Sequence, residues 1–212
     1  AEGRVSMYLW NRQITFDLGR WAEGVATTLA AVELFNSKSA THTDAWMPAS
    51  VGAPNVMGLS SRLEAFAPFA EERAGLLADP DVLAAVAASG PCVTEVEDRL
   101  SRIIHVAGER GDVPAVFSAV AWQAHPHDLR AAVAWATEMA DHVHAVHGHP
   151  VFVGASQWGL PNGLILGTSY DSLAEFEAAG DAIQAEGSFL DRIERSAGMA
   201  ETIQSWVMRR VT

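Results

Sequence analysis

The chain has one cysteine, Cys92, in 212 residues. That excludes an intrachain disulfide and a thiolate metal cluster. It has only 14 Lys and Arg against 26 Asp and Glu, a formal net charge of −12. Such a balance excludes the basic patches that nucleic acid or an anionic membrane surface requires, so neither is an expected partner. No apolar run approaches the ~20 residues of a membrane span. The stretch "AEGRVSMYLW" lacks the apolar core of a secretion signal, and a cytoplasmic protein is expected. Phosphate-loop glycine spacing is missing too: "GVATTLA" and "GASQWG" carry neither the lysine nor the glycines of such loops. No serine sits in a nucleophile elbow.

What is present is a hydrophobic share of 49% with 19% charged residues, a globular profile with a sizeable core. The chain also repeats itself. "GAPNVMGLSSRLEAF" (52–66) returns as "GLPNGLILGTSYDSL" (159–173), 107 residues on. The pairing runs without a gap from His42 with His149 to Arg102 with Arg209, through Pro54 with Pro161 and Asn55 with Asn162. Two copies, each about half the chain, indicate a duplicated domain and not a solenoid.

Each half reads strand, helix, strand, turn, strand, helices, strand. In the first, "RVSMYLWNRQ" is a strand and Asp17 opens an amphipathic helix as its cap. "HTDAWMPASV" and "VMGLSS" are strands around "GAPN", where Pro fixes φ and Asn tolerates the left-handed region. Two helices follow, Asp79 and Pro80 starting the second. "VEDRLSRIIHVAG" is either a last helical turn or a strand ending near Val106. The second half repeats the order, with Asp128 in the place of Asp17. "GERGDVP" (108–114) is the expected linker, giving repeats at 4–107 and 113–212. The fold class is thus α+β, two ferredoxin-like β-α-β-β-α-β units. Helices cover one face of each sheet, so the other face must be buried against a partner, and the two units packing sheet to sheet as a pseudo-symmetric α/β barrel satisfy that need.

The two strand–helix–strand units and the GxPN hairpins carry a resemblance to the dimeric α/β-barrel superfamily in tandem-fused form. The resemblance spans nearly the whole chain at the level of pattern. It implies kinship with cofactor-independent antibiotic-biosynthesis monooxygenases, polyketide cyclases and haem-binding enzymes. The expectation is a monooxygenase or cyclase, without cofactor, acting on an aromatic or polyketide-like substrate in the barrel interior. A monomer or homodimer fits, with a small apolar or aromatic ligand. The alternatives are a haem- or metal-binding protein and a non-catalytic binding or assembly module.

Six of the eight histidines lie in the second half: His125, His127, His142, His144, His147 and His149. Asp141, His144 and His147 are spaced i, i+3, i+6, roughly one helix face. That set could hold a metal, but histidine is also favoured at a helix C-terminus by the dipole. His42 and His149 occupy the same place in both copies and could act as acid and base, or simply keep a strand edge soluble. His144, His149 and Asn162 are the candidate catalytic residues, polarising a phenol or carbonyl. Asn55 and Asn162 could equally serve the turn alone. Trp10, Trp46, Trp122, Trp158 and Tyr170 are the candidate substrate-binding residues, as an aromatic-lined barrel suits a flat ligand. Ordinary core packing explains the tryptophans as well, because both faces of these strands are apolar. Trp158 and Tyr170 stand where the first repeat has Val51 and Leu63, which places the expected site nearer the second repeat.

Overall fold

The computed structural model describes residues 7–49, 53–109 and 111–212. In chain order the elements are β1 (Met7–Phe16), α1 (Trp21–Lys38), β2 (Asp44–Pro48), β3 (Val56–Leu63), α2 (Phe66–Leu77), α3 (Pro80–Ser89) and β4 (Val93–Ala107). Then come β5 (Val116–Ala124), α4 (Leu129–His147), β6 (Val151–Trp158), β7 (Gly163–Tyr170), α5 (Leu173–Ala185), α6 (Phe189–Glu194) and β8 (Ala200–Arg210). Strand order is the same in the two repeats. Within the first repeat that order is 4-1-3-2, and the second repeat has the same permutation, 8-5-7-6. The ambiguous segment before residue 107 is therefore a strand. Its β-branched Val93, Thr94, Val96, Ile103, Ile104 and Val106 fit a pleated surface better than a helix.

The duplication has a measurable register. β3 and β7 begin at Val56 and Gly163, and β4 and β8 at Val93 and Ala200, each 107 apart (163 − 56; 200 − 93). Before α4 the offset is 108: Tyr8 faces Leu63 while Val116 faces Tyr170 (116 − 8; 170 − 63 = 107). The difference is absorbed around α4, which has 19 residues against 18 in α1. The compact units are residues 1–101 with 210–212, and residues 102–209. The division falls inside β4, between Ser101 and Arg102, and not in the glycine-bearing stretch 108–114.

In the first unit, β1, β3 and β2 form an antiparallel ladder with Trp10 opposite Ser61 and Trp46 opposite Gly58. Burial alternates along β3, where Met57, Leu59, Ser61 and Leu63 are buried. This period of two marks the face turned to the helices. There Trp10, Ile14 and Phe16 meet Val32 of α1 and Phe69 of α2 in one core. Each such side chain contributes about 1.5–3 kcal/mol on burial. Gly24 lets α1 approach the sheet, since a Cβ there would lie within contact distance of the Phe16 ring and Cys92. Asp79 caps α3, accepting from the N–H groups of Asp81 at 2.9 Å and Val82 at 3.3 Å, with Pro80 following it. Asp17 does not cap α1. Its carboxylate accepts the Gly19 N–H at 2.8 Å in a turn that precedes the helix, whose N-cap is Arg20. His125, not Asp128, fills the corresponding place in the second unit: the N–H of Asp17 donates to Cys92 O, and that of His125 to Met199 O.

In the second unit β5 pairs with both β7 and β8, and β6 pairs with β7, all antiparallel. α4 covers the sheet with Ala132, Ala136, Met139, Ala140 and Val143 against Trp122, Val151, Val153 and Leu164. Its alanines permit a close helix–sheet approach. Gly148 ends α4 in the left-handed region (φ 79°), its N–H bonding His144 O at 2.7 Å. That is the conformation glycine adopts without a Cβ penalty. No helix among the described residues is long and apolar enough to cross a membrane.

Candidate functional site

The left-handed turn at Gly148 folds the chain back on itself. His147, the last residue of α4, and His149, just past the turn, come together with ring centroids 5.2 Å apart. The β6–β7 register sets Val151 opposite Thr168, so the start of β6 lies beside the end of β7, where Tyr170 stands. The Tyr170 ring is 4.9 Å from His149 and 6.1 Å from His147. Phe176 of α5 closes the group, edge-on to Tyr170 at 5.5 Å. Glu175 is fixed by the first turn of α5: its backbone N–H donates to Ser172 Oγ at 3.2 Å, and its Oε2 accepts the Asp171 N–H at 3.0 Å. This is a variant of the reciprocal capping box. It leaves Glu175 Oε2 at 3.9 Å from His149 Nδ1.

The tautomers follow from which partners can donate. The backbone N–H of His149 donates to His147 Nδ1 at 3.0 Å, so Nδ1 is an acceptor and the neutral ring carries its proton on Nε2. The His149 carbonyl can only accept, so His144 Nδ1, 2.9 Å away, carries a proton. The His147 Nε2 is buried and has no hydrogen-bond partner among the described residues. An orphaned buried donor costs about 1–3 kcal/mol, so this one calls for an explanation.

Burial pushes the His147 pKa down to about 4, with the neighbouring His149 and His144 adding to the effect. The ring is neutral at physiological pH. Burial raises the Tyr170 phenol, opposed by its hydrogen bonds with Ser118 and Thr168. The depressed histidine has a thermodynamic consequence. Between about pH 6.5 and about pH 4 the unfolded chain holds more protons at this site than the folded one, so folding stability falls as pH drops through that window. One proton gives a slope of at most ~1.4 kcal/mol per pH unit, reduced here by partial solvent screening. In urea titrations across this range the wild type should lose stability relative to His147→Gln as pH falls. Parallel curves would show that His147 titrates normally.

The residues expected from sequence divide into groups. His144, His149 and Tyr170 meet at one end of the second unit's sheet, joined by His147 and Glu175. Asn162 immediately precedes β7 at its other end, eight residues from Tyr170, or about 26 Å along an extended strand. It holds the left-handed turn conformation (φ 53°), and its carbonyl accepts the Ala124 N–H at 3.2 Å. Asn55 has no such conformation and instead donates its amide to Phe16 O at 2.6 Å. Gly52, the first residue of the earlier hairpin motif, lies outside the described residues. Trp122 packs edge-on to Trp135 in the core beneath α4. Trp158 is 69% exposed at the end of β6. In the first unit Trp10 belongs to the core under α1 and α2. Trp46 points to the opposite face of that sheet and donates to Ser60 Oγ at 2.8 Å. His42 is largely exposed, 3.6 Å from Asp44, so it and His149 have unlike surroundings. Asp44, which sequence reasoning passed over, is buried, and its pKa is raised by that burial against the pull of His42, Arg210 and Arg62.

The set Asp141, His144 and His147 does not converge. Asp141 bonds His105 at 2.7 Å, and the Nδ1 atoms of His144 and His147 are engaged by the backbone. Among the described residues no three His, Cys, Asp or Glu side chains are arranged to hold a metal ion. His147 could have been found by asking what a left-handed glycine places side by side. Glu175 was legible as the S-x-x-E of a capping box.

No family model matches the chain, and no curated protein matches it in sequence. Solved structures do match in fold. A candidate monooxygenase of Fusobacterium nucleatum superposes with TM-score 0.73 at 8% identity, covering 99% of this chain and 94% of that one. An anthrone oxidase-like protein gives 0.69 at 12% identity, over 98% and 92%. A chlorite dismutase variant from Candidatus Nitrospira defluvii gives 0.57 at 10% identity, over 97% and 91%.

Proposed function

Starting from a chain with the dimeric α/β-barrel fold, we propose that it is a small-molecule enzyme, a monooxygenase acting without a cofactor on a phenolic or anthrone-like aromatic, with its site at the His147–His149–Tyr170 cluster. The observation that carries this reading is the orphaned Nε2–H of His147. A neutral imidazole in a dry setting, with its donor unspent, suits an oxygen on which negative charge develops. The fold neighbours described as a monooxygenase and as anthrone oxidase-like are consistent with it, although fold alone does not carry function.

The substrate's oxygen accepts the hydrogen bond from His147 Nε2, which favours its ionised, electron-rich form. His149 takes the proton, and Glu175 steadies the resulting cation. Tyr170 and Phe176 supply aromatic walls. The carbanion or enolate then reduces molecular oxygen. For a CH₂ centre a carbon–oxygen bond forms, the O–O bond breaks, and the two hydrogens leave in water, so CH₂ + O₂ gives C=O + H₂O. Asn162 has no part in this arrangement.

Oxygen-electrode measurements with anthrone and with 1-naphthol test the reading. The expected result is uptake above the buffer blank, one O₂ per anthrone consumed. Substrate loss without oxygen uptake would point to a cyclase using the same donor. No enzyme-dependent change with either compound contradicts an aromatic substrate at this site.

A further inference from the structure

The first unit contains a cation without an ion-pair partner among the described residues. Arg73 of α2 lies over the Trp10 ring, its guanidinium carbon 4.2 Å from the centroid, with Phe35 at 5.0 Å and Phe69 at 5.3 Å. Among the described residues it makes no hydrogen bond and no ion pair. The nearby carboxylate is taken: Asp98 binds Arg12 through two bonds of 2.9 and 2.7 Å. Burial lowers the Arg73 pKa to about 10, with Arg12 adding to it and Asp98 opposing, so the group is still a cation at neutral pH. In a chain of net charge −12, a half-buried guanidinium with no carboxylate partner among the described residues is available to an incoming anion.

Stacking satisfies the face of a guanidinium, not its N–H edge. None of the five N–H donors of Arg73 is bonded to a protein acceptor among the described residues, which leaves that edge open to a ligand. The repeat provides an internal control. Arg73 corresponds to Gly180 (73 + 107), and Trp10, opposite Ser61, corresponds to Ser118, opposite Thr168. Phe69 corresponds to Phe176. The fold therefore builds this helix–sheet contact without an arginine, and Arg73 with Trp10 is particular to the first unit. Phe66, one turn before Phe69, is 42% exposed, with its ring 6.4 Å from that of Phe69, leaving apolar surface beside the cation.

We propose that Arg73, seated on Trp10, Phe35 and Phe69, is the anion-binding group of a second ligand site in the first unit, and that the site takes a small arylcarboxylate. A carboxylate matches the guanidinium edge in a planar, two-bond fashion. At this spot Arg73 is the one cation without a carboxylate partner among the described residues, which favours a monoanion over a phosphate dianion. The aromatic body of the ligand rests against Phe66. This site is independent of the His147 cluster.

The test is calorimetric titration of the full chain with 1-naphthoate, 1-naphthamide and inorganic phosphate. Saturable binding of 1-naphthoate is expected at one site per chain, with at least tenfold weaker binding of 1-naphthamide and none of phosphate. Arg73→Met, which keeps the stem over Trp10, should weaken 1-naphthoate at least tenfold. Arg73→Lys should weaken it less, and His147→Phe should leave it unchanged. If Arg73→Met does not fold by circular dichroism, Arg73→Lys and the amide carry the comparison. Absence of 1-naphthoate binding, equal affinity in the Arg73 variants, equal binding of the amide, phosphate binding of equal strength, or loss in His147→Phe alone overturns the proposal.

Discussion

Trp122→Ala should destabilise the second unit by about 3–5 kcal/mol, the range for removing a large buried aromatic side chain. Trp122 is 5% exposed and packs with Leu164, Val153 and α4. It also meets Trp135 edge-on at 5.6 Å, a geometry that adds about 0.5–1.5 kcal/mol beyond area burial. Trp135 in turn is anchored, its indole N–H donating to Arg192 O at 2.8 Å, so it cannot easily swing into the space left behind. Trp158→Ala is the control. At 69% exposure it should change stability by no more than ~0.5 kcal/mol. Urea unfolding followed by far-ultraviolet circular dichroism measures both. Equal effects would mean that Trp122 is not a core residue.

The second large effect is kinetic. His147→Phe should lower kcat for oxygen uptake about 10²–10³-fold, the usual loss when one oxyanion donor is removed. Its stability should change little. Phenylalanine preserves the ring volume and removes the buried orphan donor, while the His149 N–H loses its acceptor, and the two effects oppose each other. Tyr170→Phe, which keeps the aromatic wall and loses only the hydroxyl, should act mainly on KM. A His147→Phe enzyme with unaltered kcat would remove His147 from the chemistry.

These contrasts also show what a sequence can and cannot convey. The order of elements was legible because turn residues and periodicity recur 107 residues apart, and β3 and β7 start at just that interval. The helix start at Asp79 was legible because capping is local chemistry. Asp17 was misread for the same reason: an Asp before a helix also closes a turn, and here it does so three residues ahead of the cap position. The faces of Trp10 and Trp46 were not legible. Both strands are apolar on both sides, so only the register decides that Trp10 meets the helices and Trp46 meets Ser60. The site was half legible. Histidine content pointed to the second repeat, but the meeting of His147, His149 and Tyr170 depends on the left-handed Gly148 and on the pairing of β6 with β7. Arg73 gave no sign in sequence, since a helical arginine is ordinarily solvated.

The central claim is that His147 is a neutral imidazole whose Nε2–H is held ready for a substrate oxygen. Nitrogen-15 NMR of the histidine side chains addresses it directly. The account predicts that the His147 ring stays neutral and protonated on Nε2 from about pH 8 down to about pH 5, titrating only near 4, and that added 1-naphthol shifts the Nε2–H signal. A ring that titrates near its ordinary 6.5, or one protonated on Nδ1, would contradict it.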